Sequence, residues 1–83
     1  MKITIENAYV LDVLDIAFNH SIKKGLLTPQ MAELLKEQEA NNLITDDNAH
    51  LTTFGKALFR KLSIIYTSQP TDDDYIYTLT FVD

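Results

Sequence analysis

The hydrophobic spacing of this chain changes period twice, and that change limits its fold more than any other feature. At the start, Ile3 and Ile5 alternate with Lys2, Thr4 and Glu6, the period-two pattern of a strand with one buried face. Near the end, Tyr75, Tyr77, Leu79 and Phe81 alternate with Ile76, Thr78, Thr80 and Val82, in a run rich in β-forming residues. Everything between has helical spacing or turn chemistry. The expected fold is therefore α+β: three helices, with a small antiparallel sheet made by pairing the two chain ends.

The helices are marked by their ends. In the first, expected over about residues 8–24, Val10, Leu11, Leu14, Ala17, Phe18, Ser21 and Ile22 share one side, opposite Asp12, Asp15, Asn19 and Lys23. Asn7 suits its N-cap and Gly25 a left-handed position after its end. The second starts at Thr28-Pro29, a cap followed by a proline whose missing N–H costs nothing in a first turn. Met31, Leu34 and Leu35 give it an apolar face, and Asn41 and Asn42 are expected to end it in left-handed geometry. Leu43 and Ile44 then return to the core, and TDDNAH is a turn, so that residues 43–52 can form a short wing hairpin. The third helix is capped by Thr52 and points Phe54, Leu58, Leu62 and Ile65 inward, with Gly55 allowing a close approach in its first turn. TSQPTDDD reads as a loop. Leu14, Phe18, Leu34, Leu58 and Leu62 are expected to be buried together.

The totals narrow the function. At 83 residues the chain suits one domain, residues 1–83, with one modest core. Without cysteine it has no disulfide, thiolate nucleophile or thiolate metal site. No apolar run approaches the ~20 residues that span a bilayer, and MKITIENAYV lacks the apolar core of a leader. A cytoplasmic protein without membrane insertion is the expectation. The net charge is −5, and the last 21 residues hold four aspartates and no base. Duplex-DNA binders draw most of their affinity from phosphate neutralisation, so nucleic acid is an unfavoured partner.

The run from Leu26 to Leu62 resembles a winged-helix module of the kind found in small tailed-phage proteins. The residues that carry the likeness are Leu27-Thr28-Pro29, Leu34-Leu35, Asn42-Leu43-Ile44 and the Leu-Thr-x-x-Gly-x-x-Leu series Leu51, Thr52, Gly55 and Leu58. Asn42 stands where the pattern usually has glycine. The resemblance implies a winged-helix-like shape and a role as a regulator or inhibitor in host takeover, lysis timing or counter-defence, acting in the host cytoplasm. One departure bears on activity. Only one helix is apparent between Thr28 and Leu43, and its Glu33, Glu37 and Glu39 outnumber Lys36, so in a recognition position it would repel phosphates.

Two surfaces are candidates for contact. Asp72, Asp73 and Asp74 form the densest charge cluster and adjoin Tyr75 and Tyr77, a residue type favoured at interfaces. That segment suits a protein partner, a basic one by charge, and its strand edge suits a homodimer. The alternative is a DNA-binding regulator that uses Lys23, Lys24, Lys56, Arg60 and Lys61. The acidic runs lack the alternating ligands and central glycine of a calcium loop, and His20 and His50 have no zinc-ligand spacing. No catalytic constellation is evident. The expectation is a non-enzymatic binding protein that needs no cofactor and no metal.

Overall fold

The computed structural model describes residues 1–6, 9–38 and 40–82. The chain runs β1 (Lys2–Glu6), α1 (Val10–Lys23), α2 (Pro29–Gln38), α3 (Ala40–Leu43), α4 (Thr53–Lys61), β2 (Ile64–Pro70) and β3 (Tyr75–Phe81). Among the described residues the fold is mixed α+β, with four helical segments and one antiparallel sheet in the order β1-β3-β2. The two chain ends pair as expected, with Ile3 opposite Leu79 and Ile5 opposite Tyr77. Side chains alternate across the sheet: Ile64, Tyr77, Leu79 and Phe81 are buried against the helices, while Ile65, Thr67 and Gln69 face outward.

The strand β2 corrects two readings. Ile65 does not continue the third helix, and residues 67–70 are not loop. The chain leaves α4 through Ser63, whose φ of 61° reverses its direction. The Ser63 N–H donates to the Arg60 carbonyl (3.0 Å), and the Ser63 carbonyl accepts from the Val82 N–H (2.8 Å). Ile64, Ile65, Tyr66 and Thr67 are strong β-formers, and pairing along β3 from Phe81 to Tyr75 outweighs one more helical turn. The outcome also closes a route to dimerisation. Because β3 is the central strand, both its edges are occupied, and the open edges belong to β1 and β2. A homodimer cannot form by strand addition to the C-terminal strand.

Local punctuation mostly follows the residues. Thr28 accepts from the Met31 N–H at 3.1 Å, and Thr52 accepts from the Gly55 N–H at 3.0 Å, so both expected caps are in place. Gly25 sits at φ 77° beyond the end of α1. Its N–H reaches the Ile22 carbonyl (3.1 Å), and the Leu26 N–H reaches the Ser21 carbonyl (2.9 Å), the paired bonds of a Schellman ending. The start of α1 differs. Its N-cap is Tyr9, whose N–H donates to the Asp12 carboxylate (3.3 Å). Asn7, expected in that role, lies outside the described residues. Helical structure is described over Pro29–Gln38 and again over Ala40–Leu43, so Asn41 and Asn42 lie within α3 and do not end the helix in left-handed geometry. The left-handed asparagine is instead Asn48, at φ 56° in the turn that joins Ile44 to its bridge partner Leu51.

The core gathers Val10, Val13, Leu14, Ala17 and Phe18 of α1, Leu43 and Leu51 beside α4, Phe59 and Leu62, and the inner face of the sheet. Leu62 is buried as expected, but along α4 the inward residues are Gly55 and Phe59, each one residue beyond the expected Phe54 and Leu58, and Ile65 faces outward. Phe59 is fully buried and meets Tyr66 edge-on, with ring centroids 6.2 Å apart. Leu58 is half-buried, and Phe54, Leu34 and Leu11 are exposed. Gly55 makes this phase possible. A Cβ there would lie 2.6 Å from the Leu43 carbonyl oxygen, so α4 crosses α3 closer than any other residue type allows.

Candidate functional site

The sheet register and the course of α1 sort the charges toward opposite ends of the molecule. At one end lie Glu6, opposite Ile76, and the β2–β3 hairpin with its aspartates. The turn 45–50 is at the same end, since the Tyr77 hydroxyl donates to the Ala49 carbonyl at 2.6 Å and the His50 ring meets the Tyr75 ring edge-on at 4.6 Å. Asp46 and Asp47 belong to that turn, and Asp46 shares a hollow with Leu11 near the start of α1. Hydrogen bonds from the Thr45 hydroxyl and then from the Ala49 N–H hold the Asp47 carboxyl below the usual carboxylate range.

The acidic candidates are divided by this geometry. Asp72 and Asp73 are exposed at the hairpin tip. Asp74 closes the turn: its carbonyl accepts from the Thr71 N–H (2.7 Å), its own N–H donates to the Thr71 hydroxyl (2.9 Å), and its carboxylate accepts from the Tyr75 N–H (2.9 Å). Tyr75 is half-buried. Tyr77 is only 1% exposed and offers no surface to a partner, which corrects its place among the contact residues. It lies on the inner face of the central strand, stacked near Tyr66 with centroids 6.1 Å apart. Burial pushes its phenol above the ordinary value, and the neighbouring Tyr66 and Asp74 add to that effect.

The opposite end collects the bases. The His20 ring lies 3.9 Å from the Phe81 ring, so the last turns of α1 sit over the end of β3. Lys24 lines a hollow with His20, Leu26, Leu62, Ser63 and Val82. Arg60 lines the next one, which shares Ser63 and Val82. Lys61 and Leu62 border a third. Lys23 adjoins Lys24 in sequence, and Lys56 stands one turn before Arg60 on α4. Of the basic candidates, Lys24, Arg60 and Lys61 therefore surround one end of the fold. These bases also oppose the partial negative charge at the ends of two helices, which gives them a structural role as well.

The third hollow was not legible as a site. It is a groove of about 490 Å³ lined by Leu26, Leu27, Met31, Leu34, Leu35, Leu58, Lys61 and Leu62. Met31 is 53% exposed and Leu34 50%, although helical spacing places both on the apolar face of this helix and Leu34 in the core. Ala32 is the residue by which α2 packs inward, and Leu35 is half-buried. A contiguous exposed apolar surface of this kind marks a contact site more often than a solvated face. The doublets Leu26-Leu27 and Leu34-Leu35 were the available signal. Neighbouring helical residues point about 100° apart, so in Leu34-Leu35 a narrow buried stripe takes one leucine and leaves the other outside, while Leu26-Leu27 divides in the same way in the connection before α2.

The carboxylates of α2 turn away from the groove. Glu33 and Glu37 line a separate hollow on the α1 side, with Asn19 and Ile22. There Lys36 pairs with Asp15 at 2.6 Å and ties α2 to α1. Among the described residues, no group of three histidine, aspartate or glutamate side chains converges as a metal site. Nor is any helix among them long and apolar enough to cross a membrane. Comparison of the chain with family models, with curated proteins and with solved structures returned no match.

Proposed function

We propose that this protein is a small binding module that acts by occupying a protein partner, without chemistry of its own. The observation that supports this reading is the α2–α4 groove, where Leu26, Met31 and Leu34 hold half-exposed apolar side chains around a continuous concavity. Apolar grooves between two helices take an amphipathic segment through anchors spaced by helical turns. In the likeness to the winged-helix module, α2 stands before the Leu43-Ile44 exit, and its outward residues are apolar and acidic rather than basic. That suits a protein surface better than a phosphate backbone. The same likeness favours a phage-type regulator or inhibitor, active in the cytoplasm of the host.

The test is affinity capture with the wild-type chain and with Leu34→Asp, read by mass spectrometry. The substitution falls on a half-exposed side chain, so the melting temperature should shift little. The expected result is a protein captured by the wild type and lost with Leu34→Asp. Equal capture by both would remove the groove from the interface and return attention to Asp72 and Asp73 at the hairpin tip.

A second reading, the DNA-binding regulator, draws on the gathering of Lys24, Arg60 and Lys61 at one end. Against it stand the net charge of −5 and the acidic outer side of α2. Titration of labelled duplex DNA at ~150 mM salt should give a Kd no tighter than the ~10⁻⁴–10⁻⁶ M of non-specific binding. Sub-micromolar affinity that weakens when Lys56 and Arg60 become glutamate would promote this second reading.

A further inference from the structure

The apolar groove adjoins the basic end of the molecule. The groove shares Leu26 and Leu62 with the hollow beside Lys24 and His20, and that hollow shares Ser63 and Val82 with the one beside Arg60. Among the described residues, Lys61 is the only charged one that lines the groove. The carboxylates nearest in sequence, Glu33 and Glu37, line the far side of α2. A ligand in the groove therefore meets apolar side chains and the Lys61 ammonium, with Lys24 in the adjoining hollow. The chain as a whole carries the opposite sign.

We infer that the occupant of the α2–α4 groove is an acidic amphipathic helix of a partner protein. Its apolar stripe lies over Met31, Leu34 and Leu58, and its carboxylates reach Lys61, which lines the same groove. This rests on the protein-binding reading above and adds the chemistry of the partner. Local charge decides the match, because at physiological salt the Debye length is ~8 Å. Carboxylates seated beside Lys61 interact with it strongly, while the aspartates of the opposite end are screened. Aspartate and glutamate flanking an apolar stripe complement this surface, and lysines on the same stripe would face a like charge.

A displayed library of helical peptides of about 15 residues, long enough for four turns, tests the assignment when panned against the immobilised full chain. The apolar positions are held at the spacing i, i+3, i+4, i+7, and the remaining positions vary among glutamate, lysine, glutamine and alanine. Enrichment of net-negative sequences is expected. A selected peptide should shift the amide resonances of Met31, Leu34 and Leu58. It should bind about tenfold more weakly to Lys61→Glu and regain affinity for that variant when its facing glutamates become lysines. Enrichment of neutral or cationic sequences, or no enrichment, would overturn the inference. So would sedimentation showing a dimer that Leu34→Asp dissociates, since the occupant would then be a second copy of this chain. The two readings fail separately. Capture of a native partner that depends on Leu34 but not on Lys61 leaves the binding module standing without the acidic helix. Capture indifferent to Leu34 removes the groove itself.

Discussion

Replacing Phe59 by alanine should destabilise the fold by ~3–5 kcal/mol, the range for a large buried side chain cut to a methyl group. Phe59 is fully buried, and it joins α4 to the sheet through Tyr66. The void would open in the middle of the core cluster, where the central strand β3 is paired on both sides and has little freedom to collapse into it. For a domain this small, each kcal/mol moves Tm by roughly 4–8 °C, and total stability is usually ~5–15 kcal/mol. Phe59→Ala should therefore lose a large share of its stability, with a Tm lowered by more than ~10 °C. Leu58→Ala, next to it on the half-exposed side, is the control and should cost clearly less. Thermal melts of the two variants decide the phase of α4. If Leu58→Ala proves the more damaging, the inward face is the one read from spacing alone, and the α2–α4 groove disappears with it.

Gly55→Ala should lower stability by ~1–3 kcal/mol, the usual penalty for overpacking. Helix propensity alone predicts the opposite, since alanine is better than glycine inside a helix by roughly 0.8–1 kcal/mol. The close approach decides which effect wins. The new Cβ would lie 2.6 Å from the Leu43 carbonyl oxygen, and that oxygen also accepts from the Thr52 N–H at 2.9 Å. A backbone atom held in this way does not swing aside as a long side chain would. The helix has to back away from α3, and that movement loosens Leu43, Leu51 and Phe59 together. Denaturant unfolding of Gly55→Ala against the wild type gives the sign directly. A stabilised variant would mean that α4 and α3 are not in contact at this point.

These two positions also show where reading the chain succeeds and where it stops. Thr28, Thr52 and Gly25 were legible because their work is local: each cap or left-handed turn bonds to atoms within a few residues, and the chemistry travels with the residue type. The alternation at the two chain ends was legible because a strand with one buried face must alternate, and two such strands have each other to pair with. The α+β class follows from that switch of period. The second edge strand, β2, does not. Ile64 to Pro70 satisfies helical spacing as far as Ile65 and has turn residues beyond, and only pairing with β3 selects the strand. That pairing closed the edge of the C-terminal strand and buried Tyr77. The phase of α4 was settled by one close contact with a backbone carbonyl, and nothing in the leucine spacing reports it. For the candidate site, the sequence named Lys24, Arg60 and Lys61 but not their common neighbourhood, because the ends of α1 and α4 meet only in space. Nor did it separate Leu34 from the core. An apolar residue at helical spacing carries the same signature whether its neighbour is its own chain or is still to arrive, and what distinguishes the two cases is the position of the adjoining helix, a property of the tertiary structure alone.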